Sequence, residues 1–256
     1  MAATYRELHT DLEMGTKYLI NESAYFLGGM FAANESVIAN GRKYWIAPVR
    51  YNNGYLTPEE LEDHFKNVKA SAAKLSNQTL MASTIKANGF DSGKFNRLVG
   101  FGTFFESKEG KKLEDMIPEI KGALFSSSQE VKRCFVAGMF DGRGSIDKNQ
   151  KSGAIRYIVI DCENAVVGKF LCEVVEDYGF SYNYNQARER LEGGKPRKDQ
   201  LRIPGNENYL ERIGFISKKK FDVAASSYLA QPQYKIFEED FVLVGLKRIV
   251  RRETNG

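Results

Sequence analysis

The sequence predicts an α+β protein built from two related halves, and three observations support this fold class. The stretch FLGGMFAANES at residues 26–36 is matched by FVAGMFDGRGS at residues 135–145, an offset of 109 residues. Such internal similarity indicates a duplicated unit. Helical and strand patterns follow each copy, and the chain of 256 residues, 42% hydrophobic, can bury a full core. We therefore predict one repeat at residues 1–125 and a second at residues 126–256.

Each copy of the matched stretch is predicted to be a helix with small residues at its centre. Ser127 and Glu130 have the spacing of a capping box that would start the second helix. Gly142 and Gly144 would end it. Small residues let two helices pack with close backbones, so a seam between the helices is expected at Gly28, Gly29, Ala137 and Gly138. The C-terminal ends of both helices would then lie together.

The rest of the first half is predicted from local patterns. A short helix is expected near residues 5–14, before the seam helix. After it, the predicted elements are a strand at 44–51, a helix at 57–75, a strand at 79–87, a short helix at 95–101 and a helix within 104–123.

The second half gives clearer patterns. Ile155–Cys162 is β-branched and alternating, which is typical of a strand. Val166–Tyr178 has helical spacing, and the glycine that follows it, Gly179, is predicted to end the helix. The later predicted elements are strands at 180–190 and 200–203 around a turn at 191–196, a short helix at 206–213 and a helix at 236–252.

The two helix motifs resemble those of the LAGLIDADG homing endonuclease family, in its single-chain form with two repeats. The second copy, VAGMFDGRGS, matches better than the first, LGGMFAANES. The resemblance implies two pseudo-symmetric αββαββα repeats, each with an antiparallel saddle sheet that lies on DNA and helices that cover its back. It also implies a monomer with an internal pseudo-twofold axis.

The chain departs from the family at the residues expected to hold metal. Members use an acidic residue just before the last glycine of each motif, and here those positions are Asn34 and Arg143. An amide is a weak ligand for Mg²⁺, and a guanidinium repels it. Asp141 aligns with a residue that mostly braces the turn. We expect Asp147 to form an ion pair with Arg143.

Two groups of basic and aromatic residues are candidates for contacts with nucleic acid. Three consecutive lysines, Lys218, Lys219 and Lys220, occupy the place where members of the family often carry a lysine near the scissile phosphate. These lysines could contact phosphate, Lys219 could be a relic of a catalytic lysine, or the segment could be a solvated turn. The predicted hairpin offers Tyr182, Tyr184, Gln186, Arg188, Arg190, Arg197, Lys198 and Arg202, with Lys43 and Arg50 as weaker equivalents in the first repeat. Arginine and glutamine on a ribbon can bind base edges in the major groove.

Composition excludes several other classes of function. Two histidines and three cysteines without a C-x-x-C pair argue against zinc sites and indicate reduced thiols in an intracellular protein, cytoplasmic or organellar. The net charge is +4, and residues 186–220 hold ten Lys or Arg against five Asp or Glu. No apolar run is long enough to span a bilayer.

The sequence therefore predicts sequence-specific binding of double-stranded DNA by a scaffold that has lost cleavage. A first alternative is an active, Mg²⁺-dependent endonuclease or nickase that uses Glu35 and a relocated acid such as Asp147. A second alternative is an RNA-binding protein that resembles the intron maturases of the same family.

Overall fold

The computed structural model describes residues 19, 21–39, 42–49, 83–85, 97–100, 106–107, 112–186, 198–241 and 244–253. The helices are α1 (Asn21–Ala33), α2 (Ile117–Phe125), α3 (Gln129–Arg143), α4 (Ala165–Tyr178), α5 (Tyr209–Arg212) and α6 (Lys218–Ala225). Two 3-10 turns span Leu113–Met116 and Gly205–Glu207. The strands are β1 (Glu35–Ala39), β2 (Arg42–Val49), β3 (Ser83–Ile85), β4 (Arg97–Gly100), β5 (Glu106–Ser107), β6 (Ser145–Lys148), β7 (Ile155–Cys162), β8 (Asn183–Asn185), β9 (Asp199–Pro204), β10 (Tyr234–Phe241) and β11 (Val244–Arg251).

The two halves contain sheets of the same topology. The first sheet has the order β1-β2-β4-β3, with β5 also paired to β2, and the second has the order β6-β7-β9-β8. Every pairing within these two sheets is antiparallel. In each half an edge strand, β1 or β6, follows a seam helix almost directly. The predicted α+β class with two pseudo-symmetric repeats is confirmed.

The core joins both seam helices to α4. Phe31 of α1 and Phe135 of α3 each contact Phe170 of α4, with ring centroids 5.2 and 6.0 Å apart. All three side chains are almost fully buried. Burial of a phenylalanine stabilises the fold by about 1.5–3 kcal/mol, so these rings hold α1, α3 and α4 as one layer.

Local signals set the ends of α3 and α4. The side chain of Ser128 accepts from the N–H of Val131 at 3.3 Å and caps α3. The capping box predicted at Ser127 is therefore wrong by one residue, because the Ser127 hydroxyl donates to the carbonyl of Ala123 at the end of α2. Helix α4 ends at Gly179, whose φ of +96° closes the helix in the left-handed conformation, as the sequence predicted.

Two segments predicted as helices are strands. Residues 97–100 form β4, and residues 236–252 largely fall within the β10–β11 hairpin. Leu246 and Ile249 are both fully buried and are three residues apart, which imitates helical spacing. In a strand this spacing places them on opposite faces. Because β11 contacts both α5 and α6, each face is covered, and the hairpin forms instead of a helix.

Other predicted elements are found or lie outside the described residues. The strand Ile155–Cys162 is confirmed with its predicted bounds, and β9 confirms the strand predicted at residues 200–203. The helices predicted near residues 5–14 and at 57–75 lie outside the described residues. Over the part of the chain that is described, none of the helices has the length and apolar character needed to cross a membrane.

Candidate nucleic-acid interface

The backbones of the two seam helices are in direct contact. A Cβ atom added at Gly138 would lie 1.8 Å from the carbonyl oxygen of Tyr25, and one added at Gly28 would lie 2.0 Å from that of Phe135. Any larger residue at these two positions would force the helices apart. The buried residues of the seam include Gly28, Gly29, Ala137 and Gly138.

The ends of the seam helices bring Glu35 and Arg143 together. Asn34 adopts a φ of +48° and its N–H closes α1 on the carbonyl of Met30 at 2.9 Å. This turn places Glu35 at the start of β1, while Arg143 is the last residue of α3. The Nη2 atom of Arg143 forms an ion pair with Oε1 of Glu35, and the two side chains are 15% and 21% exposed. The pair therefore links the two repeats across the seam.

The ion pair expected between Asp147 and Arg143 is not formed. Asp147 instead accepts from Nη2 of Arg156 at 2.8 and 2.9 Å. In the β6–β7 ladder Asp147 lies opposite Tyr157, so the neighbouring Arg156 is within reach. The prediction was wrong because strand pairing, rather than closeness in sequence, selects the partner of Asp147.

These side chains do not form the pair of carboxylates that Mg²⁺ prefers. Position 34 presents an amide, position 143 presents a guanidinium, and the carboxylate of the adjacent Glu35 is already bound to that guanidinium. Within the described ranges, no three His, Cys, Asp or Glu residues are grouped so as to hold a metal ion. The residues at the ends of the two helices therefore do not fit a divalent metal.

Asp141 braces the seam from the inside. Its carboxylate accepts from the backbone N–H of Ile216 at 3.1 Å and from the hydroxyl of Tyr25 at 3.3 Å. Burial raises the pKa of Asp141 to about 6, although the charge of Lys220 opposes this shift. Asp141 thus connects α1, α3 and the segment that leads into α6, which agrees with the structural role expected for it.

The three lysines of α6 are not equivalent. Lys220 is 8% exposed, and its ammonium donates to the carbonyl oxygens of Phe140 at 2.5 Å and Asp141 at 2.7 Å. Lys220 therefore caps the C-terminal end of α3 and is turned away from solvent, contrary to a phosphate contact. Lys218 forms an ion pair with Asp222 at 2.5 Å on the surface. The backbone of Lys219 lies in the first turn of α6, and its side chain lies outside the described set.

One face of the second sheet is polar. In β9 the side chains of Leu201 and Ile203 are fully buried, so Gln200 and Arg202 project from the opposite face. Residues that pair across the sheet share this face, namely Asn183, Asn185, Tyr157, Val159 and Asp161, with Ser145 and Asp147 on β6. We call this set of nine residues, with Gln200 and Arg202 included, the polar face.

Arg202 is held in position on the polar face. Its Nη2 and Nε atoms donate to Oε1 of Gln200 at 2.5 and 3.2 Å. Its guanidinium lies over the ring of Tyr157, 5.6 Å from the centroid. In one orientation of the Asn185 amide, the amide oxygen also accepts from Arg202 at 3.0 Å. Arginine, glutamine and asparagine are the side chains that bind base edges in the major groove.

Three of the predicted contact residues lie on the other side of the sheet. The hydroxyl of Tyr184 donates to Oδ2 of Asp199 at 2.5 Å. The same hydroxyl lies against α4, since a Cβ added at Gly168 would be 2.8 Å from its oxygen. Tyr182, Tyr184 and Gln186 line a groove of about 580 Å³ beside α4. These residues therefore face the helices, in contrast to Arg202.

Sequence reasoning missed Asn183, Asn185 and Gln200. The signal was present, because a count in steps of two from the apolar pair Leu201 and Ile203 leaves Gln200 and Arg202 on the other face. Among the remaining predicted contacts, Lys198 forms an ion pair with Glu163. Arg50, Arg188, Arg190 and Arg197 lie outside the described residues, as does the side chain of Lys43 on β2.

Solved structures that resemble this protein include several of I-DmoI, which is described as a homing endonuclease. Its complex with DNA and manganese matches with a TM-score of 0.47 at 10% identity, over 75% of this chain and 96% of that one. A structure of its mesophilic variants matches with a TM-score of 0.44 at 10% identity, over 82% and 96%. A variant bound to its target DNA and manganese gives 0.43 at 12% identity, over 72% and 86%.

The sequence comparisons give no match, either to a protein-family model or to a curated protein. The structural neighbours are of I-DmoI, a single-chain, two-domain LAGLIDADG homing endonuclease, and the two helix motifs of this chain resemble those of the LAGLIDADG family.

Proposed function

We propose that this protein binds double-stranded DNA in a sequence-specific manner and does not cleave it by a metal-dependent reaction. The observation that carries the second part is the ion pair between Glu35 and Arg143. Two-metal or one-metal cleavage needs negative ligands around the cation. Here the place where the two helices end holds the positive side chain of Arg143, which is neutralised by Glu35.

The polar face supports DNA as the ligand. Arg202, Gln200 and Asn185 offer donors and acceptors suited to base edges, and they lie on a regular strand surface. The first sheet repeats the strand order of the second, which supports a second contact surface for the other half of a duplex site. A protein with two related faces matches the near-twofold geometry of duplex DNA.

Both seam helices come from the same chain, which supports a monomer as the active form. Helix α2 ends at Phe125 and α3 begins at Gln129, and three serines at residues 126–128 connect them. The boundary between the proposed repeats, 1–125 and 126–256, lies at the start of this linker. Because DNA is the proposed ligand, the protein would act inside the cell.

Selection from a library of randomised duplexes tests this function. We expect recovery of a preferred sequence that is bound equally well in EDTA and in Mg²⁺ or Mn²⁺, with no strand cut on prolonged incubation. Efficient cleavage by the parent protein in either metal would contradict the loss of activity. Stronger binding of structured RNA than of the selected duplex, in direct competition, would contradict DNA as the ligand.

A further inference from the structure

The Arg143 side chain lies where the two sheets begin. Strand β1 starts with Glu35 and β6 starts two residues after Arg143, and each is an edge strand of its sheet. A ligand that lay across both sheets would therefore pass close to the Glu35–Arg143 pair. The exposed fractions of 15% and 21% show that both side chains keep some contact with solvent.

The guanidinium has more donors than its ion pair uses. It carries five N–H groups, and Nη2 is the atom directed at Glu35. The Nε atom of Arg143 is buried and has no hydrogen-bond partner among the residues that the structure describes. A buried donor left without an acceptor weakens the resting arrangement, which makes exchange of the partner anion less costly.

From these contacts we propose that Arg143 binds a phosphodiester group and that Glu35 occupies this site in the absence of nucleic acid. A phosphodiester and a carboxylate each carry one negative charge and can each accept two parallel N–H bonds from arginine. Exchange of one for the other conserves the charge around Arg143, and the carboxylate of Glu35 returns to water. This inference rests on the proposed function, since the phosphodiester is that of bound DNA.

Neutral substitutions on each side of the pair test the exchange. Glu35→Gln removes the competing anion, so the selected duplex should bind about tenfold more tightly, the scale of one charge-assisted hydrogen bond. Arg143→Gln removes the phosphate contact, so binding should weaken. The plot of log K against log salt concentration should also become less steep, with a slope that is less negative by about 0.9. In the Arg143→Gln background, Glu35→Gln should have no further effect on affinity.

Glu173→Gln is the matched control for a general change of charge. Glu173 forms an ion pair with Lys121 at 2.8 Å between α4 and α2, on the helix side of the sheet. It should change affinity much less than Glu35→Gln. Thermal unfolding of each variant shows whether it is folded. Arg143→Lys keeps the positive charge but cannot donate two parallel N–H bonds to one anion, so its affinity for the duplex should lie between those of the parent and of Arg143→Gln.

The outcomes separate the two claims. A parent protein that binds no duplex contradicts the proposed function. A parent that binds, together with a Glu35→Gln variant of equal affinity and an Arg143→Gln variant with an unchanged salt slope, contradicts the exchange alone. Equal gains from Glu35→Gln in the parent and in the Arg143→Gln background would also overturn it, because the gain would then not act through Arg143.

Discussion

Gly138 and Tyr25 are in backbone contact across the seam, so close that a Cβ on Gly138 would lie 1.8 Å from the carbonyl oxygen of Tyr25. The contact is made by main-chain atoms, so a change of rotamer cannot relieve it. This relationship fixes the distance between α1 and α3 and, with it, the approach of Glu35 to Arg143.

Gly138→Ala is therefore expected to destabilise the fold by about 2–3 kcal/mol or more, because the helices must separate to admit one methyl group. The measurement is the free energy of unfolding in urea. Gly122→Ala is the matched control, since Gly122 is exposed on α2 with nothing within 4 Å of an added Cβ. The control should stabilise the protein by up to about 1 kcal/mol through helix propensity. Equal stabilities of the two variants would contradict the close seam.

Lys220→Met is expected to lower the free energy of unfolding by about 2–3 kcal/mol, because the carbonyl oxygens at the C-terminal end of α3 lose hydrogen bonds from a charged donor. The folded variant should bind DNA as the parent does. Lys218→Met, which breaks only a surface ion pair with Asp222, should cost less than about 1 kcal/mol. If Lys220→Met instead weakened DNA binding without loss of stability, the lysine would contact phosphate.

Arg202→Gln is expected to weaken binding of the selected duplex by about 1–3 kcal/mol and to relax its preference at one base pair. Stability should change little, since the guanidinium is only partly buried. A repeat of the selection with the variant measures the preference. An unchanged preferred sequence would exclude Arg202 from base contacts.

Tyr184→Phe is the counterpart on the helix side of the same sheet. Loss of the hydrogen bond to Asp199 should lower the free energy of unfolding by about 1 kcal/mol and leave DNA affinity unchanged. Reduced affinity at full stability would place Tyr184 in the interface, as the sequence had suggested, and would contradict the assignment of the polar face.

The three cysteines should resist alkylation in the native protein. All are buried, and burial raises the pKa of Cys162 to about 11 and that of Cys172 to about 12. At pH 8 only about one Cys162 thiol in a thousand would then be ionised, and the thiolate is the reactive form. Mass spectrometry after iodoacetamide should find almost no label without urea and three labels with it. Rapid native labelling of Cys162 or Cys172 would contradict the packing around α4.

The sequence alone determined the duplication and much of the second repeat. Two copies of one motif predicted the seam, because glycines at matching helical positions have few other uses. The strand Ile155–Cys162 was predicted from its alternating β-branched residues, and the helix that ends at Gly179 was predicted from its helical spacing and the glycine that follows it. Such features depend on neighbours in sequence, which a pattern can show.

Tertiary structure decided which side chains meet. Strand pairing places Asp147 beside Arg156, and the seam places Glu35 of one repeat beside Arg143 of the other. The ammonium of Lys220 is buried and donates to the C-terminal end of α3. The C-terminal segment became a hairpin because both of its faces are covered. In each case the deciding partner lies across a sheet or across the seam, where electrostatic and packing energies depend on distances in space that the order of residues does not contain.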